Sequence, residues 1–476
     1  MSFEGLYISA SGIYANKKSL DTVSHNISNA NNPDYVRQRA IHASSLYTQN
    51  TDGRYKMGTG VDVQEIRQLR DEFLDIKYRE ESETFGYWKA SGEILGEIEM
   101  IFNEVTNSGL QKVMDDFWNA WSEAYKEPDS LTIRGLLHEN AVAFTETVNH
   151  MSTQLDNLQF NLNKDILNKV EEVNTILKNI SGLNKNIKMA EGYGKNIVAN
   201  DFRDKRNAML DRLSTLIPIK TYEKSTGEAV VSLNGRDIVN GEDINLIKVE
   251  QNKKGFGTIH WSDTGEPIDL KGKGELGGFI DCRDKEVENY RNKLDTLVRT
   301  IAEKINGIHM GGKDLQGKDG LAFFVSSGTN GDINASNIRV NPELSNFNKI
   351  ALSKSGDLGD GEIAKKILAL RKEVNKKEKD ANGKPLVYNM TFDDYYRDLV
   401  SSLGVDGNMA KSIALNQEVL LKQIDDRKGA ISNVSLDEEM ASMLQFQHSY
   451  VANSRVMNAI DEMIDNIVNR MGIVGR

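Results

Sequence analysis

The chain has 476 residues, with 59 Lys and Arg against 70 Asp and Glu and a formal charge of −11. That length exceeds one core and holds roughly three or four domains at about 100 to 150 residues each, while the acidic balance argues against nucleic acid and anionic membrane as partners, because both need clustered cations. A single cysteine, Cys282, excludes an internal disulfide and any two-cysteine metal site.

At the N-terminus Phe3, Leu6, Ala10, Ile13, Leu20 and Ile27 share one stripe of a predicted helix, interrupted by Lys17 and Ser24. Glu4, Lys17, Lys18 and Asp21 break up the first 30 residues, so no cleaved secretory signal is expected. No segment reaches the roughly 18 consecutive apolar residues of a bilayer span. Ser28-Asn29-Ala30-Asn31-Asn32-Pro33-Asp34-Tyr35 ends the helix with Asn and Pro punctuation, and Tyr35 to Ile66 reads as irregular with short extended pieces.

From Glu72 to about Leu216 the pattern is helical. Ile94, Leu95, Ile98, Ile101 and Phe102 form one apolar face, and Val113, Phe117, Ala120, Trp121 and Ala124 form another. Pro128-Asp129 marks a turn, after which Ile133 to about Leu183 predicts one or two further helices. Trp118 and Trp121, at i and i+3, are read as packing residues rather than as a cofactor box.

Beyond Leu216 the character changes. Ala229-Val230-Val231-Ser232-Leu233 and Arg236-Asp237-Ile238-Val239 flank Asn234-Gly235, a hairpin signal, and further strands are expected at 245–249 and 257–261. Residues 217–271 are therefore assigned to a small β domain. Helix is expected again from Gly278 to about His309. Residues 313–390, rich in Gly, Asn, Asp and Lys, are assigned to a second mixed insertion with strands at 322–325 and 338–340, and Lys372 to Lys379 is read as a solvated helix end.

Helix resumes at Thr391 and dominates to the end. There Phe446, Tyr450, Asn453, Met457, Ile460, Ile464, Ile467 and Met471 alternate at steps of four and three, the register of a coiled coil. Two apolar seams at opposite ends of a chain shield each other only when the chain starts and finishes in one place. The expected fold is mainly α with β insertions. It is an elongated multidomain chain whose terminal helices, 1–40 and 432–476, pair as a coiled coil above a helical rod of 41–216, 272–312 and 391–431. The predicted pairing surface comprises Leu6, Ile13, Leu20 and Ile27 with Phe446, Tyr450, Met457, Ile460, Ile464 and Ile467.

No constellation for catalysis emerges. Gly272-Lys273-Gly274-Glu275-Leu276-Gly277 matches G-x-G-x-x-G, with Asp295 beyond it, but no buried strand precedes it, no βαβ series follows, and Glu275 would face a pyrophosphate. A nucleotide-binding enzyme using this loop is the alternative from a different class, and a cytoplasmic coiled-coil adaptor is another. The seven histidines, His25, His42, His138, His150, His260, His309 and His448, show no ligand spacing, and G-x-S-x-G is absent. Cys282 is read as a small packing residue. Neither cofactor nor metal is expected.

The stretch from Leu20 to Gln38, containing Asn26, Asn29, Asn32, Pro33, Tyr35 and Arg37, resembles the N-terminal signature of flagellar rod, hook and hook-associated proteins. Gly274-Glu275-Leu276-Gly277-Gly278-Phe279-Ile280-Asp281-Cys282-Arg283-Asp284 narrows the resemblance, as do Tyr290, Leu294, Asp295, Asn306, His309, Asp314-Leu315, Phe323-Phe324 and Asp204-Lys205-Arg206-Asn207. With the C-terminal helix, these are similar to the family of hook-associated protein 1. The chain departs from the family pattern at Asp34, usually Gly, at Val36, usually Ser or Thr, and at Cys282, usually Phe.

The resemblance implies a structural axial protein, not an enzyme, at the junction of hook and filament. It implies uncleaved type III export, an extracellular place in the flagellum after a cytoplasmic stage, and self-association through terminal helices that order on assembly. The implied partners are the hook protein, the next hook-associated protein and an export chaperone at about 436–471. Another axial protein of the rod and hook family is the nearest alternative.

Overall fold

The computed structural model describes residues 4–45, 47–49, 56–102, 109–192, 198–328, 331–374, 376, 379 and 383–470. Helix dominates, with small antiparallel sheets between the helices. The chain opens on α1 (Glu4–Ser28) and continues into a ribbon, in which β1 (Gln38–Ser44) pairs with β4 (Val61–Gln68) and the short β2 (Tyr47–Gln49) with β3 (Lys56–Gly58).

Four helices follow: α2 (Glu72–Phe102), α3 (Leu110–Lys126), α4 (Leu131–Gly192) and α5 (Asn200–Leu216). The sequence left one or two helices open where α4 stands, and it is one rod of 62 residues, roughly 90 Å at about 1.5 Å per residue. Its apolar residues never lose phase. Leu155, Leu158, Leu162, Ile166, Val170, Val173, Leu177, Ile180 and Ile187 all face inward. Because the stripe is continuous, α4 serves two cores, giving Leu137 to Leu162 to one and Ile166 to Ile187 to the other.

The second core lies under two sheets. The strands β5 (Ile219–Glu223), β6 (Ala229–Leu233), β7 (Arg236–Asn240) and β8 (Asp243–Ile244) form a meander, and β9 (Ile247–Gln251) pairs with β10 (Gly257–Trp261). Asn234 and Gly235, at φ 53° and 84°, make the tight turn between β6 and β7, the left-handed pair that a two-residue hairpin loop demands. Asparagines on α4 bind the strand edges. The Asn184 amide donates to the carbonyls of Ala229 and Gly241 and accepts from the Ala229 N–H, and Asn174 exchanges two bonds with Ile247.

The next helix begins earlier than the sequence suggested. The helix α6 (Gly274–Asp281) passes through a π turn at Cys282–Glu286 into α7 (Val287–His309). The widened turn leaves the Arg283 carbonyl free to accept from the Gln159 amide, while the buried Arg283 guanidinium donates to Asn163 Oδ1 and the Gly257 carbonyl. Cys282 is buried, and burial pushes its thiol up to about 12, as befits a packing residue.

Among the described residues, 313–390 contain β11 (Phe324–Ser326), β12 (Ile338–Val340) and α8 (Glu362–Leu370), whose apolar residues form no separate cluster. Phe323, Phe324, Ile338, Leu344 and Ile350 join Phe117, Trp121 and Phe144 in the first core. The physical reason is size, since two three-residue strands and a nine-residue helix bury too little alone. α8 ends at Leu370, before the charged run. The C-terminal helical stretch is divided: α9 (Phe392–Ser432) stops at Asn433, and α10 (Leu436–Asp465) starts anew before a π turn at Asn466–Arg470. Ser432 gives its carbonyl to the Arg37 N–H at 2.8 Å, which ties the break to the root of the ribbon. Among the described residues no helix is long and apolar enough to cross a membrane.

Candidate assembly site at the paired termini

Helices α1 and α10 lie antiparallel along the terminal module. Gly5 meets Ile460, Gly12 meets Asn453 and Asn26 meets Glu439, so both helices advance by heptads in one register. A Cβ on Gly12 would sit 2.8 Å from Asn453 Oδ1, closer than side chains approach. Glycine here sets the spacing of the pair.

The buried face of α1 differs from the stripe expected for it. Ser9, Gly12, Ala15, Ser19, Thr22, Val23 and Asn26 are buried, while Leu6, Ile13, Leu20 and Ile27 are half-buried and Ala10 is exposed. Phe3 lies outside the described residues. Two neighbours share α1, the helix α10 and the ribbon, so its covered arc is centred on small residues that admit both. The Ser19 hydroxyl lies 2.7 Å from His42 Nε2, and the His42 ring stacks on Phe446 at 6.2 Å.

On α10 the predicted seam faces α1 but is left unfinished. Phe446, Asn453, Met457, Ile460 and Ile464 are half-buried, Tyr450 and Ile467 are exposed, and Met471 lies outside the described residues. Glu439 is the one buried residue of α10. Met440, Leu444, Val451, Val456 and Met463 face solvent between 41% and 57% exposed, apolar surface that α1 does not cover.

The motif residues form a latch at the inner end of the pair. Asn26 uses its whole side-chain capacity. Its amide donates to the Gln38 carbonyl at 2.9 Å and to Glu439 Oε2 at 3.0 Å, while its Oδ1 accepts from the Tyr35 hydroxyl at 2.7 Å and the Gln38 N–H at 3.0 Å. Arg37 Nε donates to Glu439 Oε1 at 2.6 Å and its terminal nitrogen to Glu438 at 2.5 Å. The Glu439 carboxylate is thus buried with both oxygens satisfied, the condition under which a buried charge is tolerated.

Asn29, Asn32 and Pro33 shape the turn instead. Asn29 donates to the His25 carbonyl, and Asn32 Oδ1 accepts from the Asp34 N–H at 3.2 Å. Asp34 does not adopt the left-handed region, so replacing the family's usual glycine costs nothing in backbone strain.

Further partners of the latch come from α5 and β4, of which the sequence singled out Asp204 as part of a family stretch and missed Asp201 and Gln68. Asp204 accepts from the Val36 N–H at 3.3 Å and from Gln68 at 2.6 Å, and Asp201 accepts from Gln38 at 3.1 Å. Burial raises the Asp204 carboxyl to about 7, against the opposing pull of the Val36 N–H and Arg70. Burial, then Asp201, Asp204 and Glu439, raises the Tyr35 phenol, so it stays a donor. Burial alone would lower Arg37, but Glu438 and Glu439 raise it overall. Arg206 faces the other way, donating to Asn184 and the Gly227 carbonyl. The Asp204–Asn207 stretch therefore joins the latch to the sheet core. The acidic pair Glu438–Glu439 was visible in the sequence, but nothing local distinguishes it from ordinary first-turn carboxylates.

The glycine loop offers no nucleotide cradle. Gly272 and Gly274 stand at φ 65° and 72°, and a Cβ on Gly274 would lie 2.5 Å from the Leu216 carbonyl oxygen, so the start of α6 is filled by protein. Glu275 pairs with Lys169 at 2.9 Å and Arg212 at 3.4 Å. Trp118 and Trp121 are core residues, stacked on Phe392 and tilted against Phe323.

Residues 95–324 match the model of the flagellar hook-associated protein FlgK helical domain, and residues 429–471 that of the flagellar basal body rod FlgEFG protein C-terminal. The chain is 30% identical to flagellar hook-associated protein 1 of Bacillus subtilis (strain 168), over 100% of this chain and 99% of that protein. It is 23% identical to the protein of the same name from Escherichia coli (strain K12), over 96% and 98%. The solved flagellar hook junction protein FlgK from Burkholderia pseudomallei matches with a TM-score of 0.63 at 12% identity, covering 75% of this chain and 100% of that one. With a terminal helix pair, its latch and full-length similarity of this order, the chain belongs to the flagellar hook-associated protein 1 family.

Proposed function

We infer that this chain is a structural protein of the flagellar hook–filament junction that assembles by packing its terminal helices against those of neighbouring copies. The observation that carries the reading is the half-covered seam. α10 buries only Glu439 and leaves a heptad row partly wet, so the pair gains most of its apolar burial from neighbours. Contacts of this head-to-tail kind propagate as a helix rather than closing. Leu6, Ile13, Leu20, Ile27, Met457, Ile460 and Ile464 hold the two helices of one copy together. Tyr450 and Ile467, already exposed, face the next copy.

Its partners in this reading are the hook protein on one side and the next hook-associated protein on the other. Its role is mechanical rather than catalytic. Before export the exposed seam is an aggregation hazard, which fits capture of about 436–471 by an export chaperone in the cytoplasm and release outside the cell without a cleaved signal. A chain without disulfides suits passage in an unfolded form.

Deletion of the gene tests the assignment. Cells should build normal hooks and lose filament protein to the medium; missing hooks would assign the chain to the rod or hook instead.

A further inference from the structure

The outer face of the β1/β4 ribbon carries an unusual pair. Arg39 stands directly opposite Arg67 in the antiparallel register, and both are exposed. Like charges at such a position repel, and among the described residues neither forms an ion pair. On a chain of charge −11, two adjacent arginines share this face with Glu65, two residues along β4, which forms no ion pair with either among the described residues. The opposite face of the ribbon is fully used, with Gln38 and Gln68 bonded to Asp201 and Asp204.

Across the junction lies a cleft of about 700 Å³ between the motif turn and helices α2, α5 and α9. Its floor is neutralised, since Asp75 pairs with Arg70 and Lys428, and Asp211 with Arg79 and Lys428. Its mouth is not. Asp34 and Asp425 are exposed and form no ion pair among the described residues, and Asp71 uses only one oxygen, to cap α2.

We propose that the Arg39–Arg67 pair of one copy docks into this cleft of a second copy, against Asp34, Asp71 and Asp425. The two surfaces are complementary in charge, and one chain carries both. The Arg37–Ser432 bond roots the ribbon beside the cleft, which Ser432 lines. A contact between two different surfaces of one chain repeats from copy to copy, as in a helix. The contact is polar and separate from the helix seam, so it fixes register where the seam supplies burial.

The proposal rests on the self-assembly reading above, and its test separates the two. Full-length chains are expressed in flagellated cells lacking their own copy, and the chain retained on purified hooks is compared with that in the medium. Arg39→Glu/Arg67→Glu should be exported yet retained about tenfold less, the loss expected when interfacial charges oppose. Asp34→Arg/Asp425→Arg should behave alike, and co-expression of the two variants should restore retention, because each ribbon then meets an opposite cleft. Full retention of Arg39→Glu/Arg67→Glu overturns the proposal, as does failure of rescue by variants that melt like the unaltered chain. Should either melt early, Arg39→Gln/Arg67→Gln replaces the arginine reversal, and its full retention overturns the proposal equally. Absence of the unaltered chain itself from hooks would instead refute the junction reading, and the contact with it.

Discussion

Asn26 shows how one side chain can join two ends of a chain. Its four bonds reach Tyr35, both backbone groups of Gln38 and Glu439, so Asn26→Ala strands four buried groups at once. Each lost partner costs about 1–3 kcal/mol, more for a charged one, and the latch should loosen by roughly 3 kcal/mol or more. Limited proteolysis should then cut at 28–38 while the body stays intact; unchanged resistance would contradict the latch. His309 makes a second prediction. Its Nδ1 faces the Leu321 carbonyl at 2.5 Å, and its Nε2 accepts from the Ala351 N–H at 2.9 Å, a pairing that requires the neutral ring. Burial lowers it to about 4 from an ordinary 6.5. The unfolded chain therefore binds the extra proton, and stability is full above about pH 6.5 and falls towards pH 4, by about 3 kcal/mol from this residue. Urea unfolding of the body followed against pH should show that slope, and His309→Gln should flatten it. Neither role was legible beforehand, because Glu439 and Ala351 are distant in sequence from the residues they serve.

Elements that bury one continuous apolar face were readable from period alone. The seam of α10 follows its heptads, and α3 and α4 bury the faces their apolar spacing marks. An element covered through small residues was not. α1 divides its surface between a helix and a ribbon, which moved its buried arc onto Gly12, Ala15 and Ser19, residues that hydropathy ignores. The packing of the short strands of 313–390 was not legible for a related reason, since they lie against the aromatic cluster of α3 and α4. The π turn after α6 leaves no trace in composition. Gly12 tests the α1 account, because Gly12→Leu must push Asn453 aside and separate the helices at their midpoint. Helical circular dichroism from the body should persist, while the terminal pair melts separately and earlier. A single unchanged transition would show that α1 and α10 are not spaced by this residue. Asp204 adds a pH dependence opposite to that of His309. With a folded value of about 7 above its ordinary 3.8, the folded junction holds the extra proton between them, so the junction weakens as pH rises through 7.

For the whole molecule, burial is distributed unevenly along its length. The body is built on two closed cores tied by α4, whereas the terminal module is held by a polar latch at one end and a seam that α10 buries nowhere beyond Glu439. Local opening free energy follows buried contact, so the free chain must be least protected where α1 and α10 run outward from the latch. The proposed assembly reverses that order, with neighbouring copies covering Leu444, Val451 and Met463. Amide hydrogen exchange on the free chain should therefore be fast over 4–20 and 443–465, slower at 22–38 and 436–440 near the latch, and slowest in α4. The same amides in chains assembled on hooks should become protected together. Equal protection of termini and body in the free chain would mean that the pair is already complete, and the seam could then not be the source of the assembly energy.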